Sequence, residues 1–453
     1  MSEHLSTEVD LLIIGAGMAG MTAAAFAAGK GLSVGVVEKA PKTGGSALYA
    51  AGGMTRPLDL GAWKTANAGG DPVFADMLFN KCDETVEWIE SLGVDISAPA
   101  NGQDIIGTPS RMRGIDILKY LALCRVEVEN AGGWIITDAR VERLLFENDE
   151  VVGAVVTDRD GTTTVRAKNT IVATGGFQGS PELRRRHLGE NAKDMLLRAN
   201  PFSVGDGLNL ARSVGGAETE IMDYFYGHVI PFPLNHEFRA QDYLRLAMAY
   251  LVRRSLLLDK SGQRFVDESL TYCYDARAVL KQPGARALMV GDRAMRDAEA
   301  VFLGMRTLGL ETVDRITEAG RSGAHVCEAD SPAELGETVA RWGYQNVADA
   351  VLRFNREIEC GAPTSPKRQQ NRRPLAAPFF AIEIQPAITF TFGGLRADGK
   401  ARVIREDGTP IGGLLAAGAD VGGFYCERYC SGLAMAAILA IQAVETAIAR
   451  ASP

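Results

Sequence analysis

The stretch from Glu8 to Lys39 constrains this chain more than any other. An apolar run, Leu11-Leu12-Ile13-Ile14, breaks into Gly15-Ala16-Gly17-Met18-Ala19-Gly20, and small residues continue through Ala28. A second apolar run, Ser33-Val34-Gly35-Val36-Val37, ends at Glu38. The order is strand, glycine turn, helix, strand, acid. Gly15 permits the tight turn, Gly17 lets the backbone approach a pyrophosphate, and Gly20 lets the helix pack close to the strand. Free N–H groups and the positive dipole end at the helix start suit phosphates. Glu38 ends the second strand, where a carboxylate can accept ribose hydroxyls. A glycine turn in an ordinary βαβ unit accounts for the glycines but not for Glu38. The stretch therefore reads as a dinucleotide site.

The following loop bears on which dinucleotide. Glu38 leads into Lys39-Ala40-Pro41-Lys42-Thr43-Gly44-Gly45-Ser46, then Ala50-Ala51-Gly52-Gly53-Met54. A nicotinamide domain would continue into another simple βα unit; here the chain stays in a glycine-rich loop against which a flat ring system can lie. In these motifs the chain resembles the FAD-dependent fumarate reductase/succinate dehydrogenase flavoprotein superfamily. That group also contains 3-ketosteroid dehydrogenases and tricarballylate-type dehydrogenases, and the resemblance covers nearly the whole chain. It implies an α/β Rossmann-like FAD-binding domain, a parallel sheet with an inserted antiparallel β-meander, plus an α+β capping domain. It also implies FAD contacts at Gly15, Ala16, Gly17, Met18, Ala19, Gly20, Glu38, Lys39, Gly44, Gly45, Ser46, Ala50, Gly52 and Gly53.

The 453 residues suffice for two domains with real cores. The formal net charge of −8 gives no reason to expect nucleic acid or an anionic membrane as partner. Leu11 to Ala28 could be mistaken for a signal or membrane segment, but its glycines and the acidic flank of Glu3, Glu8 and Asp10 argue against that. No membrane span and a cytoplasmic location are expected. Seven cysteines without a CxxC argue against a disulfide scaffold, a c-type haem or an iron–sulfur cluster. Cys426 and Cys430 lack a ligand cluster around them, so no metal is expected.

Along the chain, apolar residues at three- and four-residue spacing predict a helical insertion from about 63 to 130. Trp134-Ile135-Ile136-Thr137 and the segments 139–146, 151–157 and 162–167 read as strands, the last three a meander turning at 147–150 and Asp160-Gly161. The resemblance puts Val141, at the start of the meander, against the adenine. It makes Ala173-Thr174-Gly175-Gly176 a second pyrophosphate-side loop and sets Asp206 near the flavin end. Asp206 also stands where a helix N-cap is expected. From about Tyr224 the composition shifts, which suggests a capping domain over 224–387, flanked by FAD-binding segments 1–223 and 388–453. Lys367 to Pro374 reads as a basic linker leading back. The return segment holds Gly418-Ala419-Asp420, where the family usually has Ala-Gly-Glu, and Ser431-Gly432-Leu433, which opens a closing helix. Gly418, Asp420, Ser431, Gly432 and Leu433 complete the expected cofactor contacts.

The chemistry expected from the resemblance is mixed. No histidine lies between Glu38 and Ala50, so non-covalent FAD is expected. No second GxGxxG supplies an NAD(P)H site, leaving the electron donor or acceptor unidentified. The cap motif Gly-x-Arg-Phe-Val-x-Glu matches Gly262 to Glu268. Four residues on, where fumarate reductases keep a proton-delivering arginine, stands Tyr272. Their threonine–glutamate pair corresponds to Ala247-Met248 and their histidine before the late Gly-Gly to Thr389-Phe390. Arg428 survives, and His228 falls near the family's other substrate histidine. A dicarboxylate needs several fixed cationic donors, so this pattern favours a small-molecule carbonyl substrate, a ketone first. Tyr429 with the Gly432 N–H would stabilise an enolate, and Tyr272 would move the proton. A carboxylate held by Arg428 and His228 is the alternative within the same reaction class; a flavin-binding protein without catalysis is the alternative outside it.

Overall fold

The computed structural model describes residues 7–103, 108–269, 272–300 and 313–451. The chain divides into two compact units. A nucleotide unit comprises Met1–Leu188, Ala199–Tyr224 and Phe390–Pro453; a cap unit comprises Gly189–Arg198 and Phe225–Thr389. The short excursion Gly189–Arg198 into the cap has no counterpart in the sequence-based division.

The nucleotide unit begins with β1 (Glu8–Ile14), α1 (Met18–Gly29) and β2 (Val34–Val37). Leu11, Leu12 and Ile13 are fully buried, as expected of a strand covered on both faces. Three further strands, β3 (Gly53–Pro57), β4 (Ala100–Gln103) and β5 (Pro109–Gly114), form an antiparallel sheet of their own. β4 and β5 interrupt the region expected to be helical, which with its N-terminal flank supplies α2 (Leu60–Ala66), α3 (Pro72–Ser91) and α4 (Ile117–Asn130). Asp59, Asp71 and Asp116 cap those helices by accepting backbone N–H groups. Then follow β6 (Trp134–Ile136) and the meander β7 (Arg140–Glu147), β8 (Glu150–Asp158) and β9 (Gly161–Val172). Asn148 and Asp149 turn the β7–β8 hairpin with positive φ, the geometry of a primed two-residue turn.

In the cap unit, β10 (Leu196–Leu197), β11 (Phe225–Pro231), β12 (Leu256–Leu258), β13 (Ala287–Asp292), β14 (Val326–Ala329) and β15 (Phe379–Thr391) form a six-stranded mixed sheet. β15 is its spine: β13 and β14 pair antiparallel to it, and β10 parallel through Ala387 and Ile388. The chain then returns to the nucleotide unit with β16 (Arg402–Ile404), β17 (Pro410–Ala416) and the helix Gly432–Ala451. The large sheet runs β16-β17-β8-β9-β1-β2-β6, with β7 on β8. Its centre is parallel, since β9, β1, β2 and β6 run alongside one another and β17 joins β9 in the same sense. The α/β class with parallel sheet and inserted meander is as expected from the sequence. The last helix is long and apolar enough to cross a membrane. Here Ala434, Ala437, Leu439 and Val444 are fully buried, so its apolar composition serves the core of this unit.

Candidate functional site: a dinucleotide cradle and a buried cationic group

The cradle is built at the carboxyl ends of β1, β9 and β17. Gly15 turns the chain out of β1 with φ +104°, and a Cβ there would lie 2.3 Å from the Ala173 carbonyl oxygen. A Cβ on Gly20 would lie 1.8 Å from the Gly15 carbonyl oxygen. Both glycines are thus required by close backbone packing. Gly17 differs: a Cβ there would meet nothing nearer than the Gly45 Cα at 4.0 Å. It is the N-cap of α1, and no side chain caps the helix there. The helix start is left with donors and an open approach, which fits a pyrophosphate. Gly44 and Gly45 form the opposite wall; Gly44 donates to the Ala16 carbonyl (2.7 Å).

Glu38 is buried, with Oε2 accepting from the Ala16 N–H (2.7 Å) and Oε1 from the Ala40 N–H (2.8 Å). Its carboxylate therefore fixes both loops of the cradle while standing where ribose hydroxyls are expected. Lys39 and Asp206 form an ion pair with each other. Asp206 is the first residue of the helix Asp206–Arg212, not its N-cap; Gly205, at φ +86°, takes that position. Ser46 Oγ accepts from the Asn200 N–H (3.4 Å). Gly52 holds φ +80° against the Ile115 carbonyl, Gly53 opens β3, and Val141 sits buried in β7. Ala50 closes the short helix Gly45–Tyr49.

Asp420 ties three sequence-distant loops together. It accepts from Thr174 Oγ1 (3.0 Å) and from the Gly175 N–H (2.8 Å), while Thr174 Oγ1 accepts from the Gly207 N–H (2.9 Å). Burial pushes the Asp420 carboxyl up to about 7, against the lowering effect of these hydrogen bonds. Asp420 is expected from the sequence to contact the cofactor; in the structure its carboxylate is occupied by the Ala173–Gly176 loop. Gly418, at φ +70°, lies under Ala19 of α1.

The loop ahead of the last helix is staked at both ends. Asn67 donates to the Phe424 carbonyl (3.0 Å) and accepts from the Cys426 N–H (2.9 Å). The Tyr425 hydroxyl donates to the Ser431 carbonyl (2.8 Å) and accepts from the Ser431 N–H (2.9 Å). Neither Asn67 nor Tyr425 is evident as a site residue from sequence: the partners of Asn67 stand more than 350 residues away, and Tyr425 bonds only backbone groups of Ser431, which no motif marks. Between the stakes lie Arg428 and Tyr429. The Gly432 N–H donates to Tyr429 Oη (3.1 Å). The glycine N–H thus acts through the hydroxyl, polarising it as a donor, rather than beside it. Tyr429 packs between Phe390 and Tyr425, ring centroids 5.6 and 5.4 Å away. Arg428 Nε is buried with no hydrogen-bond partner among the described residues. Leu433 lies in the first turn of the helix Gly432–Ala451.

In the cap unit, Tyr272 is the first residue of the helix Tyr272–Leu280. Its side chain lies outside the described residues. The motif Gly262 to Glu268 forms a buried clasp: Arg264 pairs with Glu268 through Nη2 (2.6 Å) and Nε (2.9 Å), and Glu268 accepts the Leu257 N–H (2.9 Å). Arg368 closes on the same carboxylate (3.4 Å) and donates to the carbonyls of Ser255 and Arg253. Within the segment read as a basic linker, Arg368 is therefore a buried residue of the cap core, paired with Glu268, and Arg373 pairs with Asp292, while Lys367 and residues 369–372 stay exposed. Ala247 and Met248 are buried and apolar.

His228 lies on β11, 5% exposed, with Nε2 hydrogen-bonded to the Tyr226 hydroxyl (2.9 Å). Desolvation, then the charges of Arg198 and Arg315, holds its imidazole well below the usual range, so it is neutral. Arg198 and Arg315 are themselves 1% and 2% exposed. Arg198 donates from Nη1 to Thr389 Oγ1 (3.0 Å) and from Nη2 to the Tyr243 carbonyl (2.6 Å), and it stacks 3.3 Å from the Tyr243 ring centroid. Arg315 Nε donates to the Leu244 carbonyl (3.3 Å). This buried group of two arginines around a neutral histidine is not legible as such in the sequence, where its members stand at 198, 228 and 315 without a shared motif.

Three comparisons bear on this geometry. A family model described as "FAD binding domain" matches residues 10–431. A fumarate reductase (cytochrome) of Shewanella frigidimarina is 27% identical over 95% of this chain and 75% of its own length. A urocanate reductase of Eggerthella lenta is 26% identical over 93% of this chain and 71% of its own. Among solved structures, a 3-ketosteroid-Δ4-(5α)-dehydrogenase from Rhodococcus jostii, in complex with 4-androstene-3,17-dione, superposes with a TM-score of 0.75 at 20% identity. That match covers 99% of this chain and 98% of the other, a likeness of fold.

Proposed function

Since this chain belongs to the FAD-binding fumarate reductase/succinate dehydrogenase flavoprotein family and is an FAD-dependent oxidoreductase acting on CH–CH groups, we propose that its substrate is an α,β-unsaturated carboxylate, or the saturated acid in the reverse direction. The observation that carries this reading is the Arg428–Tyr429 loop. It offers a guanidinium whose Nε meets no acceptor among the described residues, next to a tyrosine hydroxyl polarised by the Gly432 N–H. Such a pair suits a carboxyl group whose oxygens gain charge as the double bond is attacked. The reductases named for fumarate and urocanate, similar over more than nine-tenths of this chain, lend the reading support.

The cradle fits FAD through the uncapped start of α1, the open space at Gly17 and the carboxylate of Glu38. When bound, FAD supplies the two-electron chemistry at the substrate β-carbon. The chain's own residues do the rest. Arg428 and Tyr429 hold the carboxyl and the charge that develops on it. Tyr272 exchanges the proton at the α-carbon. We hold the cofactor to be non-covalent, since the loop after Glu38 carries no histidine; denaturation in acid should release all yellow colour from the protein.

A ketone substrate is the second reading, favoured by the same Tyr429–Gly432 bond, which would serve an enolate equally. The deciding test is anaerobic. Protein with chemically reduced FAD is mixed with fumarate, acrylate and urocanate, and separately with cyclic and steroid enones, while absorbance near the oxidised flavin band is followed. Reoxidation by an acid supports the proposal. Reoxidation by enones alone replaces it with the ketone reading.

A further inference from the structure

We propose that Arg198 forms a carboxylate-binding subsite of the cap unit, with Thr389 beside it, and that it selects anionic over neutral substrates. The inference rests on the carboxylate reading above and deepens it, because it assigns the discrimination to a residue outside the Arg428 loop.

A guanidinium carries five N–H donors. In Arg198 one from Nη1 goes to Thr389 and one from Nη2 to the Tyr243 carbonyl. Nε is buried and meets no acceptor among the described residues. One face of the plane is covered by the Tyr243 ring. No aspartate or glutamate among the described residues forms an ion pair with it. Asp242, the neighbour of Tyr243 in sequence, is committed to His236 (3.0 Å) and to the Arg239 N–H (2.9 Å). Burial of a guanidinium at 1% exposure without a counter-charge is strongly unfavourable.

The rest of the cap unit shows what the fold does with buried arginines that serve structure. Arg264 and Arg368 converge on one carboxylate, Glu268. Arg198 has no such partner among the described residues, and Arg315 adds positive potential around His228 rather than cancelling it. The chain also spends an excursion on placing it. Gly189–Arg198 enters the cap, pairs two residues of β10 with β15, and leaves again directly after Arg198. Thr389, its hydrogen-bond partner, is likewise the last cap residue of β15. A fixed guanidinium with vacant in-plane donors, stacked on an aromatic ring, is the arrangement that receives a carboxylate with directional hydrogen bonds.

The test compares FAD-loaded wild type, Arg198→Lys and Arg198→Met by calorimetric titration with propionate, succinate and 3-phenylpropionate, each against its amide. Wild type should bind at least one acid, with its amide about 10- to 100-fold weaker. In Arg198→Met the acid-to-amide preference should vanish. In Arg198→Lys, which keeps the charge but loses the fork, a fraction should remain. If Arg198→Met does not fold, the lysine variant carries the test, since a purely structural arginine would lower its melting temperature while leaving the acid-to-amide ratio at the wild-type value. That unchanged ratio in a folded variant, or a wild type that binds no acid, overturns the subsite. Turnover is read separately: acids that bind through Arg198 but reoxidise no reduced flavin would sink the proposed reaction and leave the subsite standing. Turnover of acids with the same KM in Arg198→Met would do the reverse.

Discussion

Gly17→Ala should separate cofactor binding from folding. Gly17 has φ −79°, which alanine adopts without strain, and the added methyl would meet nothing of the protein closer than 4.0 Å. The apoprotein should therefore melt no lower than wild type, and a gain of about 0.4–1 kcal/mol is expected because the unfolded chain loses freedom. The space the methyl enters is the approach of the pyrophosphate to the N–H groups at the start of α1. Loss of one hydrogen bond to a charged group costs about 1.5–3 kcal/mol, or roughly 10- to 150-fold in FAD affinity. The assay is titration of FAD into stripped protein, with circular dichroism on the same samples. Gly20→Ala is the control. Its methyl would sit 1.8 Å from the Gly15 carbonyl, so α1 must move, and about 1–3 kcal/mol of stability should be lost along with the cofactor. If Gly17→Ala binds FAD with wild-type affinity, the pyrophosphate does not lie at this helix start, and the cradle reasoning fails.

Other expectations follow from the buried acids and from the helix at Tyr272. The folded-state carboxyl of Asp420 titrates near 7, above its ordinary value of 3.8. The folded apoprotein thus holds a proton that the unfolded chain gives up, so stability is full below about 4 and declines as pH rises toward 7. The slope is at most about 1.4 kcal/mol per pH unit. Asp420→Asn should flatten that slope in urea unfolding, and an unaltered slope would refute the assignment. Asp275 is fully buried, both its oxygens lack a hydrogen-bond partner among the described residues, and burial, then Glu268, pushes its carboxyl well up. Asp275→Asn should therefore raise stability at pH 8 by about 1–3 kcal/mol and leave it unchanged at pH 4, as read by denaturant midpoints. Tyr272→Phe should lower turnover about 10²- to 10⁴-fold while FAD stays bound; near-normal turnover would remove Tyr272 from the proton step.

The parts of this molecule legible in its sequence are those whose partners are close along the chain. β1, α1 and β2 pair within thirty residues, and the meander closes through short turns, so period and glycine placement suffice to read them. The sheet of β3, β4 and β5 was not visible because Ala100-Asn101-Gly102-Gln103 has neither alternation nor β-branched residues. The polar run at Lys367–Pro374 reads as a solvated linker until Glu268, a hundred residues away, accounts for Arg368. Lys39 and Asp206 are each plausible cofactor contacts in isolation; the fold brings them to each other. Arg198 carries no motif at all, and only its burial marks it.

The knot at Asp420 also sets an order of events during synthesis. β1 and β9 emerge early, but β17, which completes the parallel centre beside β9, and Asp420, which holds the Thr174 loop, follow only after the cap unit. A ribosome-bound chain that has passed β9 has its glycine turn and its acid, yet the far wall of the cradle is missing. Cofactor loading should therefore wait until β17 and Asp420 have left the exit tunnel, with the cap unit made in between.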